Sequence, residues 1–116
     1  MDLYEIWFDL KPGVRDMVLV EKLTAYMTHL KSRGLLEDHR LSRRKLGLGA
    51  PGLGEFHLTM AFRDLAQLDA AFQRVAARRE PEESVHFGVN ALVTNAVFAL
   101  YRDFPDQDRA RGQERF

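Results

Sequence analysis

The chain has 116 residues, 46% of them hydrophobic and 29% charged, which supports one modest globular core and excludes a disordered or fibrous chain. Lys plus Arg equal Asp plus Glu at 17 each, so no net field draws the protein onto nucleic acid or an anionic membrane, and neither is expected as a partner. The absence of cysteine excludes disulfides, thiolate metal sites and cysteine nucleophiles.

"DLYEIWFDL" alternates Leu3, Glu5, Trp7 and Asp9 against Tyr4, Ile6, Phe8 and Leu10, which predicts a strand with one apolar and one mixed face. "KPG" breaks it. From about Arg15 to Arg33, apolar residues at Val20, Leu23, Met27 and Leu30 predict a helix, and Gly34 is placed to end it. "LLEDHRLSRRKLGL" is charged and only weakly alternating, as an exposed edge strand is. "EFHLTMAF" sets Phe56, Leu58, Met60 and Phe62 against Glu55, His57, Thr59 and Ala61, a second clear strand. Asp64 and Gln67 have the spacing of a capping box, followed by a helical stripe of Leu65, Leu68, Phe72 and Val75. Pro81 is suited to the first turn of a short helix through "EESVHFGVN", and "TNAVFALYRDF" reads as a last strand ending near Tyr101. Tyr4 and Tyr101 are expected in the core with polar tips at the surface.

One domain over residues 1–105 is therefore expected, with a polar, flexible tail from 106 to 116. The order is that of a ferredoxin-like α+β fold, β-α-β-β-α-β with a small helical insert. Its antiparallel sheet has both helices on one face and the first and third strands in the middle. The N-terminal "MDLYEIWFDL" has acidic residues and no basic leader region, and no stretch reaches the length of a membrane span, so a cytoplasmic location is expected.

"GLGAPG", Gly47 to Gly52, is a literal G-x-G-x-x-G. A dinucleotide fingerprint works by turning a strand into a helix whose N-terminus faces the pyrophosphate. Here the glycines lead into "LGEFHLTMAF", a strand, and no Gly-Lys-Ser/Thr follows. They are expected to form a long, mobile hairpin connection, with a flap over a cavity as its functional version. No cofactor is expected.

"YEIWFDLKPG", "RRKLGLG", "EFH" and "ALYRDFP" resemble an uncharacterised bacterial family within the dimeric α/β-barrel superfamily, over nearly the whole chain to about Pro105. The resemblance implies a homodimer in which two ferredoxin-like sheets pack face to face, with a cavity between sheet and helices or at the barrel mouth. For the superfamily at large it implies cofactor-free oxygenation, small-ring isomerisation or haem breakdown. The asparagine, tryptophan and histidine pattern of haem-degrading members is not matched cleanly.

His29, His39, His57 and His86 show no tight metal-ligand spacing, and no metal is expected. His57 shares its predicted face with Glu5, Trp7 and Thr59. A histidine beside a carboxylate can act as a general base near neutral pH, or the pair can simply satisfy itself and fix a dimer. Arg43, in the basic run with Arg44 and Lys45 and near His39 and Arg40, either grips a ligand anion or guards a solvated edge. Alternation puts it with Leu41, opposite Arg40, Ser42 and Arg44, without saying which side faces inward. His86 and Asn90, one helical turn apart, either line the same pocket or brace their helix. The absence of G-x-S-x-G argues against a serine hydrolase elbow.

Three functions follow. The first is a dimer binding a small organic molecule in a cavity near the mixed sheet face, lined by Glu5, Trp7, Thr59, His57, Arg43, His86 and Asn90. The second is a cofactor-free monooxygenase- or isomerase-like enzyme with His57 as base, and the third a purely structural dimer.

Overall fold

A computed structural model describes residues 1–78 and 80–106. Its elements are β1 (Asp2–Leu10), α1 (Asp16–Ser32), β2 (Asp38–Arg43), β3 (Phe56–Phe62), α2 (Leu65–Ala76), α3 (Glu82–Asn90) and β4 (Val93–Arg102). Residues 107–116 of the expected tail lie outside the described residues.

The four strands form one antiparallel sheet in the order β2-β3-β1-β4. The two apolar-patterned strands are its centre, and charged β2 is an edge. In β1 and β3, Tyr4 stands opposite Met60, Ile6 opposite Leu58 and Phe8 opposite Phe56. These side chains form the floor on which the helices lie. Glu5 faces Thr59 and Trp7 faces His57 on the other side of the sheet. Between Trp7 and Asp9 the pairing with β4 shifts by one residue, and Asn95 takes a φ of 56° there.

On α1 the buried stripe is Leu19, Leu23, Met27 and Leu30, not one beginning at Val20. Steps of four, four and three residues keep one face toward the sheet, and Val20 lies about 100° around from Leu19. Gly34 ends α1 as expected. With φ at 69° it donates its N–H to the Lys31 carbonyl (3.0 Å), and Leu35 N–H reaches the Leu30 carbonyl (2.9 Å).

α2 departs from its predicted stripe. Leu65 and Phe72 are exposed, whereas Gln67 and Ala71 are buried. Asp64 caps the helix by accepting from Gln67 N–H (2.8 Å). The Gln67 amide is used inward: its oxygen accepts from Arg63 N–H (2.7 Å) and its nitrogen donates to the Gly34 carbonyl (3.0 Å). Phe72 sits at the border of a space that α2 does not fill.

The glycine-rich connection spans residues 44–55 and leads into β3, not into a helix N-terminus. Arg44 Nη2 donates to the Leu53 carbonyl across this loop. Glu55 N–H donates to Asp9 Oδ1 (2.8 Å), and this bond, with a weaker one from Asn95, lowers the Asp9 pKa. Gly54 lies against β1, where a Cβ would overlap the Phe8 carbonyl group. No described helix is long and apolar enough to cross a membrane.

Candidate functional site

The sheet divides the sequence-predicted site residues into two groups. Glu5, Trp7, His57 and Thr59 come together on the open face. His57 Nε2 donates to Glu5 Oε2 (2.6 Å), and Thr59 Oγ1 donates to the same oxygen (2.5 Å). Trp7 stacks on the His57 ring at 4.5 Å between centroids and 10° between planes. These contacts leave Glu5 only 9% exposed. The cluster is a polar patch in which Glu5 Oε2 accepts from both His57 and Thr59. Tyr101, expected in the core, lies on this face opposite Leu3 and is 61% exposed, because no helix covers this side of the sheet.

The cavity lies on the other face, between the sheet and the three helices, and encloses about 420 Å³. It is the cavity between sheet and helices that the resemblance implies, and it lies on the face opposite the one that Glu5, Trp7, His57 and Thr59 share. Alternation in β1 sends Glu5 and Trp7 one way and Tyr4, Ile6 and Phe8 the other, and only the latter side has helices standing over it. His86 and Asn90 line this cavity from α3, separated by the sheet from Glu5, Trp7, His57 and Thr59.

Arg43 lines neither place. Its register opposite Phe56 puts it on the helix side, where Nη1 donates to Asp16 Oδ2 and Nε to Glu55 Oε1, both at 3.0 Å, with the guanidinium 5.1 Å from the Phe56 ring centre. The fork is spent in tying β2 to α1 and to the start of β3.

The cavity walls are largely aliphatic and aromatic: Ile6, Leu58 and Met60 from the floor, Leu23 from α1, Ala71 from α2 and Val89 from α3. Its polar groups are the hydroxyls of Tyr4 and Tyr26, the His86 imidazole and the Asn90 amide, and among the described residues no lysine, arginine or carboxylate lines it. Tyr26 meets His86 edge to face at 5.7 Å. Burial, with Tyr4 nearby, pushes the Tyr26 phenol up to about 12, and burial raises Tyr4 as well. Both hydroxyls therefore stay protonated and can donate to a ligand oxygen at neutral pH. The exposed lining residues Phe72, Ala76, Asn90, Ala96 and Phe98 mark the mouth, between α2, the end of α3 and β4. Tyr4 meets both Phe72 (5.1 Å, edge to face) and Phe98 (5.9 Å, stacked) just inside it.

Tyr26, Phe72 and Phe98 were not singled out as site residues from sequence. Tyr26 follows Leu23 by three positions, so its place on the buried side of α1 was readable; the space in front of it was not. Among the described residues no group of three or more His, Asp or Glu side chains is gathered as a metal site would require.

The architecture defines a ferredoxin-like α+β domain with one sheet face open and an apolar cavity under its helices. The chain belongs to a family of unknown function, DUF6614, whose model matches residues 1–116. No curated protein matches it significantly. Among solved structures it is similar to a protein from Arabidopsis thaliana (TM-score 0.68, 10% identity, covering 92% of this chain and 99% of that one). It is also similar to SnoaB, a cofactor-independent oxygenase from Streptomyces nogalater (TM-score 0.64, 12% identity, 90% and 97% covered). A third is a dimeric ferredoxin-like protein of unknown function from Jannaschia sp. (TM-score 0.60, 15% identity, 89% and 100% covered). At these identities the likeness is one of fold.

Proposed function

We propose that the protein is a homodimer paired through its open sheet face, and that each protomer binds a small, uncharged, largely apolar molecule in the cavity between sheet and helices. The observation that carries the ligand reading is the cavity itself. About 420 Å³ falls within the size range of small-molecule sites, and its few polar groups are those of Tyr4, Tyr26, His86 and Asn90. Among the described residues the lining holds no lysine, arginine or carboxylate, and His86 is its one side chain able to take a positive charge. The polar groups suit a single carbonyl or hydroxyl on an otherwise apolar body.

Support for the dimer comes from what the protomer leaves bare. Trp7 is half-buried on an uncovered sheet face, beside exposed Val97, and the same face carries exposed Tyr101 opposite Leu3. A patch of this kind marks an interface, and the Jannaschia protein of similar fold is dimeric. A two-fold dimer would bury Trp7 and the Glu5–His57–Thr59 cluster together.

A second reading is cofactor-free oxygenation in the same cavity, favoured by the similarity in fold to SnoaB. On that reading the base is His86, which lines the cavity, and not His57, whose Nε2 is engaged by Glu5 on the opposite face.

Native mass spectrometry of the purified protein, compared with its denatured mass, tests the primary reading. A dimer carrying a releasable small mass is the expected result, and a monomer refutes the pairing. If no mass is carried, titration with the neutral fluorophore N-phenyl-1-naphthylamine follows, and the absence of saturable binding refutes the ligand site. Oxygen uptake with a bound compound, abolished in His86→Leu but kept in His57→Leu, would select the second reading.

A further inference from the structure

Glu82, the first residue of α3, is 1% exposed, yet it is a carboxylate outside the cavity. Three cationic or potentially cationic groups from two other helices converge on it. His29 of α1 donates from Nε2 to Oε2 (3.2 Å). Arg74, in the last turn of α2, donates from Nη1 to Oε1 (3.4 Å), and Arg33, just past the end of α1, stands 3.9 Å from the same oxygen. Burial raises the Glu82 pKa, but His29, the helix N-terminal amide and Arg33 outweigh it and hold the carboxyl below its ordinary value.

The position of this cluster matters because of what α3 carries. His86 and Asn90, which supply much of the cavity's polar lining, and Val89 all project from α3. The helix packs chiefly on α1, with a smaller contact to α2. Past its C-terminal end, the Leu92 carbonyl accepts from Lys11 N–H (2.8 Å), which ties it to the end of β1. One end of α3 is thus fastened to the sheet by the backbone, and the other to α1 and α2 through the Glu82 carboxylate, with the Tyr26–His86 ring contact between them. Between the two fastenings lies the cavity wall, and Asn90 stands at the mouth opposite Phe72 and Ala96.

We propose that α3 is the movable wall of the cavity and that the Glu82 carboxylate positions it, so that the seating of this one side chain sets how fast a ligand enters and leaves. The ligand part of this proposal rests on the cavity reading above; the seating of α3 does not. His29, Arg74 and Arg33 share this one carboxylate, so neutralising it withdraws the common partner from all three at once. Glu82→Gln keeps the shape of the side chain while removing its charge and one of its two acceptor oxygens, so it can no longer accept from both His29 and Arg74. The Leu92 end is unaffected, so loosening should be local to α3.

The test is residue-resolved hydrogen exchange on wild type and Glu82→Gln, with stopped-flow mixing of N-phenyl-1-naphthylamine. The expected result is exchange faster by about tenfold or more at the α3 amides from 85 to 90, with the β1 and β3 amides unchanged. Association and dissociation of the probe should accelerate together, leaving Kd within about threefold. His29→Gln, which removes one partner and keeps both arginines, should give a smaller change in the same direction and serves if Glu82→Gln does not fold. Unchanged α3 exchange overturns the proposal. So does equal acceleration in α3, β1 and β3, because Glu82 would then be a general stabiliser. If wild type binds no probe, the cavity reading fails while the exchange pattern still decides the role of Glu82.

Discussion

Ala71→Leu asks whether the space under α2 is real. Ala71 is buried on the sheet-facing side of α2 and lines the cavity. In a core packed to ordinary protein density, three added carbons would force shifts costing about 1–3 kcal/mol. Here they enter a void of about 420 Å³ and change little in helix propensity. At about 0.8 kcal/mol per buried methylene, three carbons contribute roughly 2.4 kcal/mol, less the ~0.5–1 kcal/mol of leucine side-chain entropy. The net is about 1.5 kcal/mol of stabilisation, a rise in Tm of roughly 6 °C for a domain of this size. Thermal unfolding followed by circular dichroism measures it on protein stripped of any bound molecule. The same variant should weaken binding of N-phenyl-1-naphthylamine, since the leucine occupies part of the site. A fall in Tm by a similar amount would refute the reasoning, because it would mean the walls close on Ala71. A rise in Tm with unchanged probe affinity would keep the void and move the probe elsewhere.

In spectrophotometric titration, Tyr26 should hold its proton past the range of an exposed tyrosine, and a Tyr26→Phe difference curve identifies its contribution. Because the folded state keeps a proton that the unfolded chain releases near pH 10, stability should fall as pH rises from about 10 to 12, by on the order of 2 kcal/mol; no such slope means that Tyr26 is not buried. Gly54→Ala should lower the urea midpoint by the equivalent of about 2 kcal/mol or more, since its Cβ would meet β1 backbone rather than a movable side chain. An unchanged midpoint would show that the loop does not approach Phe8. Trp7→Asp should weaken the proposed dimer at least about a hundredfold in analytical ultracentrifugation, with the far-ultraviolet spectrum unchanged; a dimer of undiminished affinity would place the interface away from the open face.

Much of this fold was legible because it rests on local periodicity. The alternation of β1 and β3 encodes both which residues face the helices and which pair across the strands, so Tyr4, Ile6 and Phe8 fell on the correct side. Charge assigned β2 to an edge, and Gly34 marked the end of α1. The α2 stripe was misleading for a physical reason. Leu68 packs against the core and Val75 lines the cavity, but Leu65, at the first turn and outside the cavity lining, is exposed, and Phe72 stands over a void, where the period meets no opposing surface. A void is the difference between two surfaces that approach without touching, and no spacing in one chain records it.

The candidate site was half legible for a related reason. The i, i+4 spacing paired His86 with Asn90, and the strand register grouped His57 with Glu5, Trp7 and Thr59. Grouping all of them in one pocket required knowing which side of the sheet α3 covers, which is set by the path of the chain after Pro81. Glu82 was hidden differently: in sequence it is one of several acids in a polar break, and only the convergence of His29, Arg33 and Arg74 makes it singular.

Strand β1 stands between the proposed interface and the cavity, with Glu5 and Trp7 turned one way and Tyr4, Ile6 and Phe8 the other. Its backbone cannot rotate to reposition one set without moving the second. The irregularity against β4 falls where Trp7 gives way to Asp9, beside the cavity-lining residues Phe8, Val93 and Ala96. Association through the open face would fix Trp7, and with it the floor beneath a bound molecule. Ligand affinity and dimer affinity should then be linked, and by reciprocity each should change the other by the same factor. Trp7→Asp therefore carries a second expectation: the monomeric variant should bind N-phenyl-1-naphthylamine more weakly than the wild-type dimer, although Trp7 does not line the cavity. Equal affinity in monomer and dimer would mean that β1 is rigid enough without a partner, and that the two faces of the sheet act independently.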